Sequence, residues 1–332
     1  MAALGHLESK LAVLRPLIEA DSTIEVAING DGRVWVERAG DSAMSLADVT
    51  LSPVEVKDLA GLIANKQRLT LTDALPAIST TIDYAGATLR CQAIIPPASA
   101  GGTTITFRVF RRRLAGDAPK HFRFLRDQTV SLEAERLELL REVRNMAMHG
   151  ADPDEFLRAC IQARLNIVIS GGTSSGKTEL ARRLLWMVEE WHRLVLIEDS
   201  AELLPAHENV VSLIAERAET SARSADKLLE MTLRLRPDRI ILGELRGVEA
   251  VTFLEAINTG HEGSFTTLHA TTARKAVNRL AFLVMRAGMP LTLTEIRDYV
   301  RESIDVIVQT GRIGTERGIL ETYFPALDGE TG

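Results

Sequence analysis

The sequence predicts two successive folds: a small α+β domain, then an α/β domain on a mostly parallel sheet. Three observations carry this. The chain has 332 residues, more than one ordinary compact core holds. Strand-like and helix-like stretches mix without regular order up to Phe110. From Leu165 onward, short apolar strands alternate with amphipathic helices, as βαβ units do. The expected organisation is an N-terminal α+β domain at 1–114, a basic linker at 115–131 and an α/β domain at 132–332.

Composition narrows the class. The chain is 45% hydrophobic and 25% charged, ordinary for a soluble globular protein. A net charge of −6 argues against a surface that grips nucleic acid throughout, though a local basic patch remains open. The two cysteines, Cys91 and Cys160, form no CxxC pair. A structural zinc site is therefore not expected, and both thiols read as core residues of a reducing cytoplasm. No stretch approaches 18 uninterrupted apolar residues, so no membrane span is expected. Residues 1–20 mix Glu8, Lys10, Arg15 and Glu19 with leucines at helical spacing, an amphipathic helix kinked at Pro16 rather than a signal peptide.

The first domain reads as follows. Residues 7–20 are helical. Ile24–Ile28 and Arg33–Glu37 are strands around the turn Asn29-Gly30-Asp31-Gly32. Ser52-Pro53-Val54-Glu55 is a capping box that opens a helix to about Asn65. Ile82–Tyr84 and Ala87–Ile95 form a hairpin turned at Gly86, and Thr103–Phe110 is a further strand. Arg108, Arg111, Arg112, Arg113, Lys120, Arg123 and Arg126 alternate with Phe107, Phe110, Phe122 and Phe124. Three readings are open for this stretch: a solvated connection with packed Phe residues, contact with the phosphates of a bound nucleotide, or contact with nucleic acid or anionic lipid. Gly116, Asp117, Ala118 and Pro119 read as the linker itself.

In the second domain, Leu132–Met148 is an amphipathic helix, and Asp152-Pro153-Asp154-Glu155 opens another. Ile167, Val168 and Ile169 read as a buried parallel strand. Gly171, Gly172, Thr173, Ser174, Ser175, Gly176, Lys177 and Thr178 then fit G-x-x-x-x-G-K-[ST], the P-loop pattern. The glycines let backbone N–H groups curl round a phosphate. The helix starting near Lys177, expected to run to about Trp191, aims its positive end at the same anion. Lys177 supplies a charge for the β- and γ-phosphates, and Thr178 a hydroxyl for Mg²⁺.

Leu194–Ile197 is a second apolar strand that delivers Glu198, Asp199 and Glu202 at its C-terminal end, where open α/β sheets bind ligands. These acids suit Mg²⁺ through water, or activation of an attacking water. Ser224–Arg236 is helical, with Leu228, Leu229, Thr232 and Leu235 on one face. Arg239–Leu242 is a third strand, followed by Gly243-Glu244; an apolar strand ending in an acid beside a P-loop is the Walker B pattern. Arg234, Arg236 and Arg246 around it read either as salt-bridge partners or as phosphate sensors.

Val248–Ile257 is a helix. His261 and His269 flank the strand Phe265–Leu268 and are candidates to sense a γ-phosphate. His261-Glu262 begins like HExxH, but Phe265 stands where the second His belongs. Thr272–Arg286 is helical, Thr294 is expected to cap the next helix to about Glu302, and Ile304–Gln309 with Gly318–Tyr323 form a terminal hairpin. The alternation is that of a RecA-like P-loop fold.

Four stretches occur in a specific order: GGTSSGKT, IEDSAEL, LRLRPDRIILGELRG and TGHEGSFTTLHA. In these the chain resembles the traffic ATPases of type IV secretion and conjugation, the TrbB-like branch of the type II/IV secretion P-loop NTPases. The N-terminal stretch ending in TITFRVFRRR resembles that family too, so the likeness spans nearly the whole chain. The resemblance implies a cytoplasmic homo-hexameric ring at the inner membrane face, working with inner-membrane channel components, with ATP bound between two domains and Mg²⁺ as cofactor. On the family pattern, Gly171 to Glu179 cradle the nucleotide, with Thr178, Asp199 and Glu244 toward Mg²⁺. Glu198, Glu244 and His269 are the implied catalytic groups, and His261 lies near the phosphates. Arg108 falls where the N-terminal domain reaches toward them, with Arg123 or Arg126 as a second such arginine.

Two departures stand out. Glu179 replaces the usual second Thr or Ser and is expected to weaken phosphate binding modestly, and the tetracysteine zinc insert of many type II assembly ATPases is absent. Three other functions stay open on sequence: a pilus or type II assembly motor, a nucleic-acid translocase, and a nucleotide-gated scaffold. No stable nucleic-acid binding is expected, while peripheral membrane association stays open.

Overall fold

The computed structural model describes residues 5–111 and 122–328. The linker residues Gly116, Asp117, Ala118 and Pro119, and the basic residues Arg112, Arg113 and Lys120, lie outside the described residues.

The chain opens with α1 (His6–Leu11) and α2 (Arg15–Glu19), joined by a 3-10 turn at Ala12–Leu14. The single helix expected over 7–20 is thus interrupted before Pro16, which sits in the first turn of α2, where a missing N–H costs nothing. Next come β1 (Thr23–Ile28), β2 (Arg33–Arg38), β3 (Ser45–Thr50), α3 (Pro53–Lys66), β4 (Ala77–Tyr84), β5 (Ala87–Ile94) and β6 (Thr104–Arg111). The capping box holds: Ser52 Oγ accepts from Glu55 N at 3.3 Å, and Ser52 N donates to Glu55 Oε2 at 2.8 Å.

There follow α4 (Leu132–Met148), α5 (Pro153–Gln162), β7 (Ile167–Gly171), α6 (Lys177–Met187), β8 (Leu194–Glu198), β9 (Val210–Ile214) and α7 (Ala225–Thr232). The series ends with β10 (Arg239–Leu242), α8 (Glu249–Asn258), β11 (Phe265–Leu268), α9 (Ala273–Arg286), α10 (Leu293–Ser303), β12 (Val306–Ile313) and β13 (Glu316–Tyr323). Three expected boundaries shift. α6 stops at Met187, because Val188 is already extended, and does not reach Trp191. α7 stops at Thr232, and the chain leaves through Arg236 in the left-handed region at φ 57°. The cap of α10 is Thr292 rather than Thr294, since Glu295 three residues on completes a capping box with it.

Contacts divide the molecule into two compact units, one drawn from Met1–Arg112 and Glu189–Ile241, the other from Arg113–Val188 and Leu242–Gly332. In the first, six strands pair antiparallel in the order β3-β2-β1-β6-β5-β4. Leu11, Leu14 and Ile18 from the opening helices and Val56, Leu59 and Ile63 from α3 join Val26, Ile28, Leu89, Cys91 and Phe107 in its core. This is the α+β fold expected. The 189–241 stretch supplies β10-β8-β9, in which β8 and β9 run parallel.

A fully buried guanidinium ties the two stretches of this unit together. Arg193 Nη1 donates to Asn29 Oδ1 at 2.7 Å and to Asn209 Oδ1, and Nε donates to Leu235 O at 2.7 Å. Burial pulls its pKa down to about 10. Arg236 meets Glu37 in two-point contact at 2.9 and 3.0 Å. Deleting one partner of such a set strands a buried charge, at about 3–5 kcal/mol.

In the second unit the sheet runs β13-β12-β7-β11, with β7 parallel to both neighbours and β12–β13 an antiparallel hairpin. Every residue of β7 is buried, which is why Ile167, Val168 and Ile169 follow one another without polar alternation. Asp305 fixes the entry to β7. Its Oδ2 accepts from Asn166 N at 2.7 Å and its Oδ1 from Arg136 Nε at 3.0 Å, while burial raises the acid's pKa against these donors. This is the mostly parallel, RecA-like P-loop arrangement expected. Cys160 on α5 and Cys91 on β5 are both free and buried. Among the described residues, no helix is long and apolar enough to cross a membrane.

Candidate nucleotide site

The site grows from the end of β7. A side chain at Gly171 would place its Cβ 2.3 Å from Ser175 Oγ and 2.4 Å from Thr310 Oγ1, so the strand can turn into the loop only through glycine. Ser174 at φ 57° and Gly176 at φ 99° bend the loop back, and Gly176 caps α6. The first N–H groups of that helix lack intrahelical acceptors and face outward with the positive end of its dipole, which makes the loop an anion cradle.

The terminal hairpin clasps this loop. Ser175 Oγ and Thr310 Oγ1 are 2.8 Å apart, and Thr310 Oγ1 donates to Ser170 O at 3.1 Å. Arg317 Nε donates to Ser174 O at 3.0 Å. Sequence reasoning missed Thr310 and Arg317. The one signal that would have found them is the register of the hairpin beside the P-loop strand, which places Thr310 opposite Gly171.

Lys177 Nζ donates to Gly171 O at 3.2 Å and to Gly172 O at 3.1 Å, and lies 3.4 Å from both ring nitrogens of His269. Burial lowers its pKa; Glu244 acts against that and Arg246 reinforces it. Glu244 Oε1 is 3.3 Å from His269 Nε2, and Glu244 Oε2 accepts from Arg246 Nη2 at 2.6 Å. The acid is aimed by its neighbours: Thr267 Oγ1 donates to Gly243 O at 2.7 Å, and Leu245 N to Thr267 O at 2.9 Å. Lys177, Glu244, Arg246 and His269 therefore converge beside the cradle. Three cationic or proton-bearing groups around one carboxylate suit a polyanion whose charge shifts during reaction.

The remaining predicted residues are placed as follows. Gly172 and Thr173 are exposed on the loop, and Thr178 is half-buried in the first turn of α6. Glu179 is exposed, 3.6 Å from Arg182. His261 Nδ1 lies 3.1 Å from Ala256 O at the end of α8. In the first unit, Glu198 is buried and its Oε1 accepts from the N–H groups of Glu202 and Leu203 at 3.0 and 3.1 Å. Asp199 Oδ2 accepts from Arg217 Nε at 3.1 Å.

Arg108 is exposed on β6, opposite Glu25 of β1, with its guanidinium 5.7 Å from the Phe110 ring centre. Arg123 is exposed, and Arg126 pairs with Glu135. Packing of the Phe residues holds for Phe107 but fails for Phe110, on the exposed face of β6, and for Phe122 and Phe124, which are exposed outside regular structure. Of the three arginines around β10, Arg236 is a salt-bridge partner of Glu37, Arg234 donates to Glu230 O at 3.2 Å, and Arg246 faces Glu244.

Among the described residues, no group of three or more His, Cys, Asp or Glu side chains could hold a metal ion by itself. Mg²⁺ needs no such cage, since it keeps several waters and leans on substrate phosphates plus one or two protein oxygens. The Thr178 hydroxyl and the Glu244 carboxylate are hard oxygen donors of that kind, so the residues present fit Mg²⁺.

Comparison with known proteins agrees with this site. A family model described as Type II/IV secretion system protein matches residues 127–312. The conjugal transfer protein TrbB of Rhizobium radiobacter is 35% identical over 303 residues, 90% of this chain and 83% of that protein. The type IV secretion system protein VirB11 of Bartonella henselae is 30% identical over 331 residues, 95% of this chain and 92% of that protein. The crystal structure of the VirB11 ATPase from the Brucella suis type IV secretion system, in complex with sulphate, matches with a TM-score of 0.81 at 30% identity, covering 96% of this chain and 94% of that one. A P-loop, a strand-end acid and a histidine at the neighbouring strand end, in a chain alike along nearly its whole length to these proteins, leave one conclusion: the chain belongs to the type II/IV secretion system protein family, as a TrbB- and VirB11-like ATPase homologue.

Proposed function

We propose that this protein is an Mg²⁺-dependent ATP hydrolase that acts as a homo-hexameric motor, powering substrate export or pilus assembly in a type IV secretion or conjugal transfer machine. It would do so on the cytoplasmic face of the inner membrane, beside the machine's inner-membrane components and without stable nucleic-acid binding. The observation that carries the reading is the convergence of Lys177, Glu244, Arg246 and His269 beside the phosphate cradle. Lys177 exchanges the Gly171 and Gly172 carbonyls for β- and γ-phosphate oxygens, which are stronger acceptors. Mg²⁺, held by Thr178 and Glu244 through oxygen, would neutralise phosphate charge and fix its geometry. Glu244 and Glu198 are the acids assigned to metal and water, and Asp199 is assigned to the metal. His269 and His261 are assigned to the terminal phosphate, and Arg108 and Arg123 to the charge that develops on it. The reading assumes an ATPase segment at 132–332 and an N-terminal domain at 1–114, joined by the linker.

Lys177→Ala tests it. Hydrolysis by the full chain is expected to fall by about a thousand-fold, in line with loss of a preorganised charge at the transition state. Light scattering with Mg²⁺-ATP is expected to give a six-subunit species for the wild type that the variant lacks. Folded wild-type protein without Lys177-dependent hydrolysis, even when oligomeric, would refute the motor and leave a nucleotide-gated scaffold.

A further inference from the structure

Helix α9 differs from every other α-helix described. The rest each carry at least one carboxylate, and α9 carries none. It carries four cations, Arg274, Lys275, Arg279 and Arg286, in a chain whose net charge is −6. Ala276, Val277, Leu280, Ala281, Leu283 and Val284 bury one face of the helix, so the opposite face is fixed outward. Arg274 is engaged at the helix start, pairing with Asp328 at 2.8 Å and stacking on Tyr323. Among the described residues, Lys275, Arg279 and Arg286 make no ion pair.

Spacing gathers these three. Intervals of four and seven residues put Lys275, Arg279 and Arg286 along one edge of the outward face. Phe282 lies along the middle of that face and Met285 on its far side, and Leu291 follows in the turn after the helix. All three apolar side chains stay exposed, at 44%, 41% and 40%. A solvated helix face pairs its charges along its own length, as Arg301 does with Asp298 on α10, and α9 has no acid to do so. α10 packs beside α9 and exposes Glu295, Asp298 and Glu302 on one line. The basic strip is therefore one helix wide. A bilayer or a nucleic acid lays a broad anionic surface over neighbouring elements, acids included, whereas a single acidic helix does not.

We propose that the outward face of α9 is the docking site for an amphipathic helix of a partner protein, acidic along one edge and apolar along the next. The partner's acids pair with Lys275, Arg279 and Arg286, and its apolar side chains cover Phe282 and Met285. The 14 residues of α9 offer a contact about 21 Å long. The site uses none of the residues assigned to phosphate or metal, so it stands apart from the nucleotide reading.

The experiment titrates the full chain into a fluorescein-labelled helical peptide of about 18 residues, with glutamates at the spacing of the three cations and leucines on the adjoining face. A peptide of the same composition in scrambled order is the control. The patterned peptide is expected to bind at least about ten-fold tighter than the scrambled one. Lys275→Glu combined with Arg279→Glu is expected to weaken it by about ten-fold or more, and lysines in place of the peptide's glutamates to restore binding to that variant. Phe282→Ser is expected to cost about five-fold. Lys57→Glu, exposed on α3, changes charge elsewhere and is expected to leave affinity within about two-fold. Hydrolysis and urea midpoints of these variants should match the wild type. Equal binding of patterned and scrambled peptides overturns the proposal, and so does binding that survives the double reversal. Loss of oligomer mass in the doubly reversed variant, read by light scattering, overturns it in favour of a second copy of this chain. Binding to phosphatidylglycerol vesicles in preference to the peptide, abolished in the same variant, overturns it in favour of a lipid surface.

Discussion

Two strand-end acids, Glu198 after β8 and Glu244 after β10, look alike in sequence and differ in what surrounds them. Glu198 is buried, and one of its oxygens closes the turn that follows by taking the N–H groups of Glu202 and Leu203. Glu244 is met by side chains: Arg246 on one oxygen and His269 on the other, with Lys177 drawn to it by charge. The first acid is engaged by fixed backbone donors. The second is engaged by side chains, so a phosphate group could draw Arg246 away and a metal could take the carboxylate. The same residue type at the same kind of strand end thus closes a backbone turn in one place and meets charged and polar side chains in the other.

The comparison is sharpest at Glu244. Glu244→Gln keeps size and hydrogen bonding and removes only charge, so hydrolysis is expected to fall by about a thousand-fold with little change in melting temperature. Glu198 separates its two tasks by substitution. Glu198→Gln keeps an acceptor for both N–H groups, so any loss of turnover reports the charge; about a hundred-fold is expected if the acid also polarises water. Glu198→Ala should in addition lower stability by about 1–3 kcal/mol, because two buried donors lose their acceptor. A silent Glu198→Gln beside a destabilised Glu198→Ala, read by turnover and urea melts, would leave this acid as a turn closure alone.

Glu25 extends the comparison to an acid whose burial is not offset. Burial raises its pKa from 4.5 to about 7, with Glu37 pushing the same way against Arg108, Arg236 and Arg193. The folded state then binds the proton more tightly than the unfolded chain. Its contribution to stability is complete below about pH 4.5 and is lost as pH rises through about 7. Relative to Glu25→Gln, the wild type is expected to lose about 2 kcal/mol between about pH 5 and 7.5, measured by urea midpoints. Parallel pH profiles for the two proteins would show that Arg108 and its neighbours compensate the charge.

Much of the fold was legible because its signals are local. β7 reads as a strand from Ile167, Val168 and Ile169 alone, and the loop after it from glycine and lysine spacing. β3 was missed because it is an exposed, polar edge strand, and β9 because it pairs parallel to β8 with no helix between them. The α10 cap was legible in principle, since Thr292 and Glu295 form the capping box that Thr294 does not. At the site, Lys177, Glu244 and His269 were readable as motifs. Thr310 and Arg317 were not, because they reach the loop through strand pairing across 135 and 143 residues of chain.

The buried thiols have a practical consequence. Burial pushes Cys91 up to about 12 and raises Cys160 as well, so neither presents thiolate to solvent at neutral pH. A cysteine introduced at exposed Ile313 or Phe282 would then be the reactive one among described positions, with the native pair left in place. The chain is in effect already prepared for single-site attachment of a fluorophore or spin label, and any motion that accompanies nucleotide turnover can be followed on the unmodified core.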